Sequence, residues 1–336
     1  MGEGRGRGGG GAGGGMDAGA AGRDHRYPDE RPFPPNHHHV LETLAGDARE
    51  TTTTTSSSAL GEESTSTRPG GGGAFGAVGL GSLVHLTKAF DLRPRRYFVA
   101  WSGVLTLALE GWPEHVTEMK QRMQENFPGL CSEAFGSKWP KVSLGCLTDG
   151  RILSRDELRA LDGLCAELSS GKDFSEAMLG VDRLELVLFA CRSLEQRLTT
   201  TKLWLGQSPS AARSGEKVST DVTESVLAER SDDSYWDGVA RPGNREHHYR
   251  ERAWGATLVA PLGSYPSPQE TDPPRGPGSW SDERAAYEKL WREQRLEFLC
   301  RISVSEFRRK VDALLPGAYV WFSEESLHVT VRGLFG

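Results

Sequence analysis

Regular patterns of hydrophobic and polar positions begin only after about residue 94. Residues 97–111 read YFVAWSGVLTLALEG and are rich in β-branched and aromatic side chains, which predicts one long strand or two short ones. The next segment, PEHVTEMKQRMQENF, has apolar positions at helical spacing, and Pro113 lies where a helix accepts proline, in its first turn. We therefore predict that the ordered part of the chain begins near Pro94.

Further strands and helices are predicted in the middle of the chain. Residues 139–147, WPKVSLGCL, form a short apolar strand, and another apolar run starts at Val181. Between them, SRDE at residues 154–157 has the spacing of a capping box, which predicts a helix to about residue 168. A further short strand is predicted over residues 254–262.

The C-terminal part of the chain predicts two helices and a hairpin. DERAAYEKLWREQRLEFL has helical spacing, and SVSE at residues 303–306 has the spacing of a capping box for the next helix. AYVWF is predicted to pair with LHVTVRGL as a hairpin through the turn SEES. Together these elements predict an α+β fold with two pseudo-repeated lobes of antiparallel strands, helices packed outside them and a central cleft between the lobes.

Composition divides the chain into a tail, a domain and two polar segments. Glycine, serine, threonine and proline dominate the tail, which buries too little apolar surface to offset chain entropy and is predicted to be disordered. The predicted boundaries are residues 1–80 for the tail, 95–336 for the domain, about 95–205 and 254–336 for its lobes, about 206–250 for a polar insertion and 263–281 for a loop.

Charge and cysteine content narrow the classes of function. The chain of 336 residues has a net charge of -6, which argues against binding to nucleic acid by bulk electrostatics. Recognition of a short or terminal phosphate by a few residues stays open. The five cysteines are scattered without a CxxC pair, so we predict reduced cysteines of an intracellular protein, with no metal and no cofactor.

The sequence gives no sign of a membrane segment. No apolar run approaches the roughly 18–20 residues that are needed to cross a bilayer, and we find no secretory signal. We predict a monomer with no membrane partner, in the cytoplasm or the nucleus. Acidic residues early in the tail disfavour an organelle transit peptide, although import into an organelle is left open.

Two short segments far apart in the sequence match in kind, position by position. KVSLGCL begins at Lys141, and HVTVRGL begins at His328. Each strand has a basic side chain and, two residues later, a hydroxyl, so Lys141 and Ser143 share one face of the first strand. By the same alternation, His328, Thr330 and Arg332 share one face of the second strand.

Placed side by side, the two strands would present two basic groups and two hydroxyls to one phosphate. One basic group removes a proton from the attacking water, and the other protonates the leaving oxygen. Histidine suits either role because its unperturbed pKa is about 6.5. We therefore expect the two strands to be neighbours, with Val142, Val329 and Val331 buried behind the polar face.

The segments VAWSGVLTLALEG, GSKWPKVSLGCL and LPGAYVWFSEESLHVTVRGL resemble the two-histidine (2H) phosphoesterase superfamily. The nearest likeness is to plant and algal proteins described as RNA ligase/cyclic nucleotide phosphodiesterase-like. The resemblance covers about residues 95–205 and 285–336. It implies action on 2′,3′- or 1″,2″-cyclic phosphates or RNA ends, usually without a metal, with a nucleotide or an RNA end that carries a phosphate as the partner.

The first motif departs from the family pattern because Lys141 stands where the resemblance implies a histidine. The unperturbed pKa of lysine, about 10.4, makes it a poor base at neutral pH unless burial lowers it. Lysine can still act as an acid or clamp a phosphate. The resemblance carries over Ser143, His328 and Thr330, and we predict catalytic roles for His328 and Thr330. Substrate contacts are predicted for Ser143 and Lys141 on the phosphate, for Arg332 because it shares the face of His328, and for Trp139 because its ring could stack on a base.

Simpler interpretations stay open for each of these residues. His328 alone would equally fit a structural histidine, Arg332 a solvated or ion-paired arginine, and Trp139 an ordinary core residue. Two other functions also stay open. The protein could be a catalytically inactive phosphate-binding module, or an interaction protein in which the disordered tail binds the partners. Whether the chain is an enzyme, a cyclic phosphodiesterase, is therefore undecided by the sequence.

Overall fold

The structure is a computed structural model that describes residues 79–206, 217–232, 234–240, 245–263 and 280–335. For residues 280–284 it describes the backbone only. The tail predicted over residues 1–80 lies outside this part of the chain, apart from its last two residues. Most of the loop predicted over residues 263–281 also lies outside it.

The described residues form twelve strands and nine helices. The strands are β1 (Phe90–Leu92), β2 (Pro94–Val99), β3 (Leu105–Leu109), β4 (Trp112–Pro113), β5 (Lys141–Leu147), β6 (Leu179–Val181), β7 (Arg183–Phe189), β8 (Arg197–Trp204), β9 (Val218–Ser219), β10 (Gly255–Pro261), β11 (Tyr319–Trp321) and β12 (His328–Phe335). The helices are α1 (Leu80–Leu86), α2 (Glu114–Asn126), α3 (Arg155–Ser169), α4 (Lys172–Glu176), α5 (Asp221–Ala228), α6 (Tyr235–Val239), α7 (Glu246–Arg250), α8 (Trp280–Arg301) and α9 (Val304–Leu314).

Eight of the strands form one sheet, in the order β2, β3, β5, β12, β10, β7 and β8, with β11 also paired to β5. Neighbouring strands run antiparallel. The predicted α+β fold with antiparallel strands is confirmed. The strands β12 and β10 of the second predicted lobe lie together in this sheet, between β5 and β7 of the first lobe. A central cleft between two lobes stays a prediction.

Several predicted elements are confirmed by local hydrogen bonds and turns. The predicted strand region over residues 97–111 forms β2 and β3, which are joined by a turn in which Ser102 and Gly103 have φ angles of 66° and 74°. The predicted capping box is present, since the Glu157 N–H donates to the Ser154 hydroxyl (3.2 Å) and the Ser154 N–H donates to the Glu157 carboxylate (2.8 Å).

The predicted hairpin at the end of the chain is wrong. β11 and β12 both pair antiparallel with β5, β11 through Tyr319 opposite Leu147 and β12 through Val329 opposite Val142. Two strands that are each antiparallel to a third run in the same direction, so they cannot form a hairpin with each other. A single turn of 3-10 helix, Glu324–Ser326, lies in the segment that connects β11 to β12.

Three other expectations are also corrected. Ser303 does not form a capping box, because it has left-handed backbone angles (φ 54°, ψ 45°) and its side chain makes no cap hydrogen bond. The predicted polar insertion contains α5, α6 and α7, which are too short for sequence periodicity to show. Order begins before Pro94, because α1 buries Leu80, Leu83 and Val84 in the main core.

The main hydrophobic core lies on one face of the sheet. Leu107, Val142 and Val329 are opposite one another on β3, β5 and β12, and all three are fully buried. Val331 is buried with them, so the predicted burial of the three valines is confirmed. The side chains that alternate with these valines point to the other face.

Gly145 lies where β11 crosses close to β5. A Cβ at this position would lie 2.7 Å from the Val320 carbonyl oxygen and 2.7 Å from the Trp321 ring. We expect Gly145→Ala to lower the free energy of unfolding by about 1–3 kcal/mol, because backbone must shift to admit the methyl group. Thermal unfolding measures this loss.

The matched control is Gly163→Ala, at an exposed position in α3 where an added Cβ has no neighbour within 4 Å. This change is expected to raise the free energy of unfolding by up to about 1 kcal/mol, since alanine favours helix over glycine. Equal stability of Gly145→Ala and wild type would contradict the tight approach of β11 to β5.

Candidate functional site

The two matched segments of the sequence are neighbouring strands at the centre of the sheet. Val142 of β5 lies opposite Val329 of β12 in an antiparallel pair. From this register, Lys141 lies opposite Thr330, and Ser143 lies opposite His328. Residues directly opposite in an antiparallel pair share a face of the sheet. The predicted adjacency of these strands is confirmed. Their four polar side chains lie on the face away from the valines.

His328 and Lys141 are diagonal neighbours on this face. Each lies two residues along its strand from the position directly opposite the other. Diagonal neighbours in an antiparallel pair are separated by about 7–8 Å, within reach of long side chains. The two basic groups are therefore close enough to contact one phosphate from opposite sides.

The ring of His328 is held in one tautomer by the turn before β12. Its Nδ1 lies 2.7 Å from the Ser326 carbonyl oxygen. A carbonyl oxygen only accepts, so Nδ1 carries the proton and donates it. In the neutral ring, Nε2 is then an unprotonated acceptor, and it has no hydrogen-bond partner among the described residues.

The environment keeps His328 neutral over most of the pH range. Burial lowers the pKa of His328 to about 4, although the hydrogen bond to Ser326 opposes this shift. The positive charge of Arg197 lowers the pKa further. Arg197 belongs to β8 and is itself held by an ion pair with Glu185 (2.8 Å). No sequence signal links Arg197 to His328, because only the pairing of distant strands brings them near each other.

The Lys141 side chain is half-buried, and burial lowers the pKa of its ammonium group to about 8. The ammonium nitrogen lies 4.4 Å from the centroid of the Trp139 ring, a cation–π contact. Within the described ranges it has no hydrogen-bond or ion-pair partner. The group is therefore a cation at neutral pH whose counter-charge is not supplied by this part of the protein.

The hydroxyl groups of Ser143 and Thr330 complete the face. Both side chains are half-buried, and neither hydroxyl bonds to another of the described residues. Two hydroxyls, one ammonium and one imidazole nitrogen thus share one patch of the sheet, and none of them has a hydrogen-bond or ion-pair partner among the residues that the structure describes. All four groups can contact phosphate oxygens or their protons.

Arg332 does not share this face, contrary to the period-two prediction. Thr330 lies opposite Val259 and Arg332 lies opposite Leu258, because a bulge shifts the register between them. Val259 and Leu258 are consecutive, so their side chains point to opposite faces of the sheet. Their partners Thr330 and Arg332 therefore also point to opposite faces. Arg332 is consequently turned toward the main core.

Protein groups contact both Nη atoms of the Arg332 guanidinium, whereas its Nε atom is buried without a hydrogen-bond partner. Only 1% of the residue is exposed. The guanidinium donates to Gln124 of α2 and to the Cys131 carbonyl oxygen (3.1 Å), and it lies 3.8 Å from Glu133. This arginine joins α2 to the sheet and is not placed to contact a substrate.

Trp139 belongs to the core and not to a base-stacking surface. It is 3% exposed, and its ring already has the Lys141 ammonium above it. Stacking on a nucleobase needs a free aromatic face, which this residue lacks. Its contribution to the candidate site is to support Lys141.

The described residues contain no arranged metal ligands, and their cavity lies away from the site. No group of three or more histidine, cysteine, aspartate or glutamate side chains in those residues is arranged to hold a metal ion. A cavity of about 470 Å³ lies between β2, α3 and α5, where Arg95, Arg96 and Arg230 line it, but it does not include Lys141 or His328.

Among the helices in the described ranges, none combines the length and the apolar character that a membrane span requires. Comparison of the chain with protein-family models, with curated proteins and with solved structures finds no match.

Proposed function

We propose that the protein is a phosphoesterase-like protein that opens the 2′,3′-cyclic phosphodiester of a nucleotide or an RNA end. The observation that supports this is the patch on β5 and β12, where the Lys141 ammonium, the two hydroxyls and the His328 Nε2 atom have no hydrogen-bond or ion-pair partner in the described part of the chain. A phosphate with its attacking water and leaving oxygen needs such a set of donors, acceptors and charge.

In the proposed reaction, the Nε2 atom of His328 accepts a proton from a water molecule as the water oxygen bonds to phosphorus. One of the two ring P–O bonds breaks, and the Lys141 ammonium gives a proton to the departing ribose oxygen. The product is a phosphomonoester beside a free ribose hydroxyl, so the sum is the addition of one water. Exchange with solvent then deprotonates His328 and reprotonates Lys141.

The hydroxyls and the ammonium have a second role, which is to hold the phosphate. Ser143 and Thr330 donate hydrogen bonds to its non-bridging oxygens, and Lys141 offsets its negative charge. Because these groups are fixed on two strands of one sheet, they need little reorganisation as charge develops in the transition state. Thr330 contacts the reacting phosphate and is therefore a catalytic residue in this proposal.

The pH dependence of ring opening tests this assignment. The base His328 must be unprotonated, so the rate should rise as the pH increases through about 4. The acid Lys141 must be protonated, so the rate should fall as the pH increases through about 8. We expect a broad plateau between these limits when full-length protein is assayed with 2′,3′-cyclic nucleotides. A single rise near pH 6.5, the pKa of an exposed histidine, would contradict the assignment.

A second function is favoured by one feature, the lysine at position 141. Lysine can hold a phosphate without supplying the second histidine that the resemblance implies. On this proposal the protein binds the phosphate of a nucleotide or an RNA end and does not turn it over. Binding of a 2′,3′-cyclic nucleotide in calorimetry, with no ring-opened product, would support this alternative over the first.

A further inference from the structure

The cavity between β2, α3 and α5 has no part in the proposed function, because it includes neither Lys141 nor His328. Its volume of about 470 Å³ lies within the range of sites that bind small molecules, about 300–1,000 Å³. Arg95 and Arg96 of β2 line it, as does Arg230, which lies in a turn of 3-10 helix after α5. We call it the arginine cavity.

Ion pairs to two helices hold the arginines of β2 in place. Arg96 donates to the carboxylate of Asp162 in α3 (2.7 Å), and Arg95 donates to that of Glu224 in α5 (2.6 Å). Only 15% of the Arg96 side chain is exposed, whereas 50% of the Arg95 side chain is exposed. Arg96 therefore forms an inner part of the lining, and Arg95 forms an outer part.

One carboxylate serves two of the three arginines. The Asp162 Oδ1 atom lies 2.7 Å from Arg96 and 3.9 Å from Arg230. The longer distance exceeds that of a hydrogen bond, and Arg230 has no hydrogen bond to the residues that the structure describes. Glu229, the acid beside Arg230 in the chain, accepts a hydrogen bond from the Trp101 ring N–H. Arg230 is thus a partly exposed cation whose N–H groups are not used by this part of the protein.

Arg96 also has N–H groups that are not used. Its Nη2 atom donates to the Asp162 carboxylate and to the Asp162 carbonyl oxygen (3.2 Å). Its Nε atom is buried without a hydrogen-bond partner, and its Nη1 atom has no partner in the described ranges. Arg96 and Arg230, which share one carboxylate oxygen, therefore both have donors to offer to a second anion.

Glu224 is the acidic residue among the described residues that line the cavity. Its pair with Arg95 is about half exposed and contributes little to stability, so an anionic ligand can compete with Glu224 at little cost. The hydrogen bond to Glu224 raises the pKa of Arg95, partial burial opposes this shift, and the charges of Glu224 and Glu110 add to it. An anion that enters the cavity therefore meets three charged guanidiniums and one carboxylate.

The guanidinium group matches the oxygens of phosphate in charge and geometry. The lining also has an apolar part, formed by Ala166, Leu227 and Ala228. A free phosphate ion would fill only a fraction of the cavity, since even a water molecule occupies only about 30 Å³. We propose that the arginine cavity binds a small phosphomonoester of the sugar phosphate class. Its phosphate lies between Arg96 and Arg230, and the rest of the ligand packs against the apolar side chains.

Calorimetric titration of the full-length Lys141→Met variant with ribose 5-phosphate tests the proposal. This background removes the ammonium group of the patch on β5 and β12, where a phosphate would also bind under the proposed function. We expect saturable binding of one ligand per chain. Arg96→Met and Arg230→Met, each added to this background, keep much of the side-chain volume but remove the guanidinium. Each should weaken binding by at least about tenfold, because a charged hydrogen bond is lost.

Two controls separate the cavity from general effects of charge. Arg159→Met on the same background, at an exposed position of α3 where the arginine pairs with Asp156, should keep the affinity. Ribose without phosphate should not bind measurably. Lack of saturable binding, wild-type affinity in either Arg96→Met or Arg230→Met, or equal binding of ribose would overturn the proposal.

Two further measurements complete the test. Thermal unfolding shows which variants are folded, and if Arg96→Met is not folded, Arg230→Met at its more exposed position decides alone. Titration with inorganic phosphate gives the source of the phosphate group. Weaker binding than that of ribose 5-phosphate supports the phosphomonoester, whereas equal or tighter binding overturns it and assigns the free ion. None of these readouts depends on ring opening, so failure here is distinct from failure of the proposed function.

Discussion

His328→Ala is expected to lower the rate of 2′,3′-cyclic phosphate opening by about 10²–10⁴-fold, the usual contribution of one general base. The hydrogen bond from Nδ1 of His328 to the Ser326 carbonyl oxygen fixes the tautomer of the ring. Nε2 is therefore the ring nitrogen that can take a proton from water. Steady-state rates on the pH plateau measure the effect, with thermal unfolding to show that the variant is folded.

His328→Asn separates the base from the structural hydrogen bond. The asparagine amide can still donate to the Ser326 carbonyl oxygen, but it has no basic nitrogen, so it should be as inactive as the alanine variant. His85→Ala, on an exposed position of α1, is the matched control and should keep the wild-type rate. An unchanged rate in His328→Asn would remove the imidazole from the mechanism.

Lys141→Met is expected to lower turnover by about 10²–10³-fold, the range for loss of one electrostatic contact to a transition state. Methionine keeps an unbranched apolar stem of similar length over Trp139, so packing is preserved while the charge is lost. Binding of a cyclic nucleotide should also weaken, because the ammonium has no other counter-charge among the described residues. Rates and calorimetric affinities measured on the same variant distinguish the two losses.

Lys141→His decides between the two proposed functions. If the wild type turns over substrate, a histidine at this position should keep the reaction but shift the upper limit of the pH profile downward, since imidazole is the weaker base. If turnover occurs only in Lys141→His, the wild type is a binding module. If Lys141→Met turns over as fast as wild type, the ammonium is not part of either function.

The centre of the sheet could be predicted from the sequence because its signal is local. In β5 and β12, a basic residue, an apolar residue and a hydroxyl follow one another, and this alternation fixes which side chains share a face. The adjacency of the two strands followed from their likeness. The bulge beside Arg332 could not be predicted, because it arises where β12 meets β10, and a register shift depends on both strands.

Other features depend on contacts that no short segment of sequence encodes. β11 was expected to turn back on β12, but its partner is β5, which lies far away in the sequence. Arg183 of β7 and Arg295 of α8 both lie over the Trp291 ring, although the charged residues along α8 read like those of an exposed helix. Burial of Arg183 and Arg295 therefore becomes visible only when α8 is seen against the sheet.

The position of β12 between β5 and β10 has a consequence for protein synthesis. β5 ends at residue 147 and β12 begins at residue 328, a separation of 328 − 147 = 181 residues. At the usual rate of translation, about 5–20 residues per second, roughly 10–40 s pass before the middle strand is made. During the last 328 − 261 = 67 residues of that interval, the nascent chain has both β5 and β10, whose inner edges are open to pairing with other chains. We therefore expect that a message that stops before His328 yields a product that is prone to aggregation and degradation.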